Sequence, residues 1–128
     1  MNDTHSGTVE RLIHYAEFLA IAAAFMHAGQ DLMRGEPAEL GMPPWLFAGG
    51  FFTYALLLAA TSERPSLRAL LAGGVPLAIG AFHIVNPHAG GFFMPITYAT
   101  VIFGSATLLL SLARYRHRLP VVSTRLRN

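Results

Sequence analysis

The chain has no cysteine and no lysine, a single tryptophan, and charged side chains at only 12% of its 128 positions. The missing thiols exclude disulfides, iron–sulfur clusters, thiolate zinc sites and cysteine nucleophiles. The missing lysines leave nine arginines to carry the basic side against seven acids. Those arginines sit between apolar runs or near the C-terminus. That distribution fits membrane topology better than a nucleic-acid surface, and no nucleic-acid partner is expected. So little charge is unlike a soluble domain, where about 25% of residues are charged. A basic leading segment with a small-residue cleavage site is also lacking, so no cleaved leader is expected. No Ser-His-Asp or paired-carboxylate arrangement falls on neighbouring segments, and catalysis is not the expected role. The glycine-rich stretch NPHAGGFFMP has neither the strand–loop–helix context nor the lysine of a phosphate-binding loop.

What is present is apolar: 53% of residues are hydrophobic, and the mean hydropathy is +0.45. The apolar residues fall in four runs, 12–33, 45–61, 67–86 and 92–113. Each comes close to the roughly 20 residues that cross a hydrocarbon core about 30 Å thick. Helix-stopping Gly35, Pro37, Gly41, Pro43 and Pro44 separate the first two runs. Pro65 suits the first turn of the third, and Pro76 predicts a bend within it. The expected fold is therefore all-α, an integral membrane four-helix bundle over residues 11–114. A polar N-terminal tail (1–10) precedes it and a basic cytoplasmic tail (115–128) follows.

Four spans put both termini on one side. Arg11, Arg64, Arg68, Arg114, Arg116, Arg118, Arg125 and Arg127 then share a face, and Arg34 alone lies opposite. Eight against one is a strong positive-inside signal and predicts N-in and C-in in a bacterial-type inner membrane. Trp45, Phe92 and Phe93 would mark the outer interface, Tyr15 and Tyr115 the inner one, and RYRHR is ordinary anchoring at the inner surface. Two short echoes hint at pseudo-repeated helical hairpins: AFMHAGQ (24–30) against GAFHIVN (80–86), and Phe52-Thr53-Tyr54-Ala55 against Ile96-Thr97-Tyr98-Ala99.

Ionisable groups inside spans are costly and tend to be functional. Ala16, Ala20, Ala23, His27 and Asp31 fall within roughly 80° of one another on a helix, as do Gly73, Pro76, Gly80 and His83. Two small-residue stripes thus each end in histidine at a similar outward depth. Facing imidazoles are the usual axial pair for a b-type haem, for which His27 and His83 are the candidate ligands. Adding Asp31 and His88 makes a set able to hold copper or zinc instead, and Met26, Met33, Met42 and Met94 lean towards copper. The bland explanations are a capped helix end, an i,i+4 pair of His27 with Asp31, and methionines that serve as packing.

Glu17 is the one carboxylate well inside a predicted span, with His14 on the same flank. It can exchange protons or bind an ion, or it can simply pair with Arg68, Arg114 or His14. The expectation is a small binding or accessory subunit with an outward histidine site for haem b or a transition metal, within an electron-transfer complex. Its partners would be the lipid bilayer and other membrane subunits or further copies of itself. The alternatives are a proton- or ion-coupled transporter centred on Glu17 and a purely structural membrane subunit.

Overall fold

A computed structural model describes residues 3–86 and 94–118, and among them every regular element is helical. Helix α1 runs Asp3–Arg34 and a one-turn helix, α2, covers Glu36–Glu39. Helix α3 is Pro44–Ala60. The next rod consists of α4 (Pro65–Ala69), a π-helical turn (Leu70–Gly74) and α5 (Val75–Val85), and α6 is Met94–Arg118. Residues 3–10, expected as a tail, continue α1 as helix. His88, Phe92 and Phe93 lie outside the described residues.

Three helices are long and apolar enough to cross a membrane: Gly7–Arg34, Pro65–Val85 and Pro95–Arg116. Helix α3, expected as the second span, has 17 residues, about 25 Å at 1.5 Å per residue, which falls short of a typical core thickness. Pro43 and Pro44 fix its start and Thr61 its end, where the Thr61 hydroxyl donates back to the Leu57 carbonyl at 2.8 Å.

Burial is inverted relative to a water-soluble bundle. Phe18, Met33, Trp45, Phe52 and Leu109 are exposed, whereas Glu17, His27, Asp31, Glu36, Thr97, Thr100, Thr107 and Ser111 are buried. An apolar exterior around polar interior groups is what a hydrocarbon solvent selects, because apolar side chains gain nothing there by leaving the surface.

Helix α6 is the hub, packing most extensively along α1 and α5. The signal for this lies in α6 itself: Thr97, Thr100, Gly104, Thr107 and Ser111, alternately three and four apart, are all buried and form a heptad-like small-residue seam. A Cβ on Gly104 would meet the Gly73 carbonyl at 2.7 Å and the Leu77 nitrogen at 2.9 Å, and one on Gly80 would run into Thr100. The stripe on the third segment is therefore closed against α6.

Pro76 does interrupt that segment. Lacking an N–H, and with its ring pressed towards the Ala72 carbonyl, it is preceded by the wider π-helical turn that accommodates both defects. The Tyr54 hydroxyl donates to the Leu71 carbonyl within that turn at 3.1 Å. The FTYA and ITYA echo does not extend to packing: Tyr54 is buried and Thr53 exposed, whereas Thr97 is buried and Tyr98 exposed.

Candidate metal centre

The buried face of α1 carries Ile13, Ala16, Glu17, Ala20, Ala23, Ala24, His27, Ala28 and Asp31, spaced three or four apart as one helical face requires. Its alanines let the neighbouring helices come close, and the two ends of the stripe are polar. They lie about 21 Å apart along the axis, from Glu17 to Asp31.

At the far end, α5 brings His83 against His27 with ring centroids 4.4 Å apart, edge to face. Asp31 lies between them: its Oδ1 is 3.6 Å from His27 Nδ1 and its Oδ2 is 3.8 Å from His83 Nε2. One ligand atom from each of the three residues can be chosen so that all lie within 4.8 Å of one another. These separations exceed hydrogen-bond lengths. They approach the roughly 3.3–3.6 Å between neighbouring ligand atoms of a tetrahedral ion with bonds of about 2.0–2.2 Å. His27 is fully buried and Asp31 nearly so, and the His83 side chain is 10% exposed.

A porphyrin ligated by both imidazoles has to lie between them, and rings already in contact leave no such gap. An ion needs no gap. Among the described residues the thioethers do not converge on the cluster: Met26 is 59% and Met33 90% exposed, pointing away from the bundle, and Met42 is on the surface; the side chain of Met94 lies outside the described residues. The donor set is imidazole and carboxylate, which suits divalent ions such as Zn2+ or Cu2+ better than thioether-loving Cu(I).

A cavity of about 320 Å3 opens beside this cluster, lined by Asp31 and His83 together with Glu36, Phe47, Phe51 and Phe82 among others. Glu36 drew no notice in the sequence, where it reads as a loop carboxylate. Gly35, at φ 77°, ends α1 in the left-handed conformation that suits glycine and turns the chain back. Glu36 and Pro37 are thereby buried while Glu39 and Leu40 face outward.

At the near end of α1, Glu17 is also buried and is paired. Arg68 Nε donates to its Oε2 at 3.1 Å, and His14 Nδ1 lies 3.7 Å from the same oxygen. Arg68 also donates to the Leu58 carbonyl at 3.2 Å, which fixes the guanidinium between α1 and the end of α3. Arg114 instead pairs with Glu10 at 2.8 Å. These groups border a second cavity, of about 520 Å3, with Ser62, Ser111 and Tyr115. Of the candidate residues, then, His27, Asp31 and His83 come together, and Glu17 and His14 form a separate cluster with Arg68. Compared with known protein families, characterised proteins and solved structures, the chain matches none.

Proposed function

We propose that this protein is a small four-span inner-membrane subunit, N-in and C-in, that binds one divalent transition-metal ion near its outer face. The observation that carries the reading is the convergence of His27 and Asp31 from α1 with His83 from α5, with one ligand atom of each within 4.8 Å of the others. Two imidazoles and a carboxylate are a donor set that leaves coordination positions open. Such a centre suits an accessory subunit that holds or hands on an ion, or one that serves an electron-transfer complex built with other membrane subunits or further copies of this chain. A b-type haem on the same two histidines is less well supported because the rings touch. A transporter centred on Glu17 and His14 is less well supported because Arg68 already neutralises the carboxylate.

The test is metal analysis and an ultraviolet–visible spectrum of detergent-purified protein from cells supplied with zinc, copper and haem. One transition-metal ion per chain and no Soret band are expected, with the ion lost in both His27→Ala and His83→Ala. Colourless, metal-free wild-type protein overturns the reading, and a Soret band that disappears in either variant replaces the ion with haem.

A further inference from the structure

The metal centre is sealed from most directions. His27 and Asp31 are buried, α6 closes the seam on one side, and the apolar exterior of the helices offers a hydrated ion no approach. The 320 Å3 cavity, with Asp31 and His83 in its lining, is where an ion can come from. Its volume is several times that of one water molecule, about 30 Å3, so an ion can enter with part of its hydration shell. Phe47, Phe51, Phe82 and Ile79 supply apolar walls, against which an uncompensated ion is strongly disfavoured.

Glu36 is the group that changes this. It is 7% exposed, it lines the same cavity, and its carboxylate makes no hydrogen bond or ion pair among the described residues. A carboxylate so buried normally has a partner. The backbone that carries it is fixed by the turn. The Gly35 N–H donates to the Leu32 carbonyl at 3.2 Å, the Leu40 N–H donates to the Glu36 carbonyl at 3.1 Å, and Pro37 restricts the backbone that follows. The turn needs Gly35 and Pro37. An acid in the first turn of α2 suits that helix's N-terminus, but it does not require the side chain to be buried against the cavity.

We propose that this cavity is the loading port of the metal centre and that Glu36 is its capture carboxylate, a transient station for a divalent transition-metal ion before it reaches His27, Asp31 and His83. The proposal rests on the metal reading above. Glu36 offers a hard oxygen ligand and opposite charge while water is being removed from the ion. Asp31, which lines the cavity and belongs to the centre, is the next carboxylate in reach, and transfer is completed when the imidazoles replace the remaining waters. Because Glu36 acts on the approach, it governs the rate of loading and leaves the occupancy at equilibrium unchanged.

The experiment strips purified protein with a chelator, mixes it with Co2+, and follows the visible absorption of the bound ion in a stopped-flow instrument, with metal content measured after equilibration. Wild type, Glu36→Gln, Glu36→Asp and Ala78→Trp, which adds bulk at another residue of the cavity lining, are compared. Glu36→Gln is expected to reach one ion per chain about tenfold more slowly or worse, in line with the effect of focused charge on association rates. Glu36→Asp should fall between it and wild type, and Ala78→Trp should be slow without any change of charge. Loading of Glu36→Gln at the wild-type rate overturns the port while leaving the centre intact. Loss of the ion from Glu36→Gln at equilibrium makes Glu36 a permanent ligand and overturns its transient role. A wild-type protein that takes no ion overturns both centre and port.

Discussion

Single residues show two surroundings for a buried carboxylate. Glu17 is matched by Arg68 at 3.1 Å, and Asp31 lies against the imidazoles of His27 and His83. Removing one partner of a buried pair costs about 3–5 kcal/mol. With the Arg68 side chain 30% exposed, the lower end of that range applies. Glu17→Gln should therefore destabilise the protein by about 2–3 kcal/mol after allowance for solvent screening. Glu10→Gln, whose carboxylate is 48% exposed, should change little. Chemical unfolding in detergent checks the pair. If Glu17→Gln proves no costlier than Glu10→Gln yet abolishes pH-gradient-driven flux in proteoliposomes, the transporter reading takes precedence.

At the scale of elements, the α5–α6 seam holds the third rod at the distance where His83 can meet His27. Glycine is required there by contact with backbone, which cannot give way as a flexible side chain can. A Cβ on Gly104 meets Gly73 oxygen and Leu77 nitrogen below 3.0 Å, while Gly49 and Gly50 on α3 have nothing within 4 Å. Gly104→Ala is accordingly expected to cost about 1–3 kcal/mol, the usual range for overpacking. Gly49→Ala and Gly50→Ala should be neutral or slightly stabilising, since alanine favours helix. Thermal unfolding of the three variants in one detergent measures this directly, and equal midpoints would refute the seam. The π-helical turn belongs to the same scale: Pro76 announces a defect, and Tyr54 from α3 caps it.

For the whole molecule, the passage of the 17-residue α3 across the membrane decides which side each terminus faces. A short apolar helix spans by thinning the bilayer or by snorkelling of flanking residues, at modest cost, and Trp45 at its start is a natural interface anchor. The absence of cysteine makes the chain its own reporter background. With four spans, Met42→Cys should react with an impermeant maleimide only from the outer face, and Ser62→Cys only from the cytoplasmic face. Labelling of both from one side would mean that α3 lies along the interface, and the N-in/C-in arrangement would fall with it.

Composition by itself determined the class. A chain with 12% charge, 53% hydrophobic residues and apolar runs near twenty residues is expected to form helices long and apolar enough to cross a membrane, because a helix satisfies every backbone group within the run. Helical periodicity also placed His27 and Asp31 on one face of α1, since that relation is internal to one element. Distances between elements were decided only by tertiary structure. The edge-to-face contact of His27 with His83, the choice of Arg68 over Arg114 as the partner of Glu17, and the closing of the Gly73–Gly80 stripe by α6 all depend on how the rods dock. Glu36 is the sharpest case. Its burial follows from a left-handed glycine that folds the loop back over the end of α1, and a local pattern of charge and hydropathy does not encode where a turn will point.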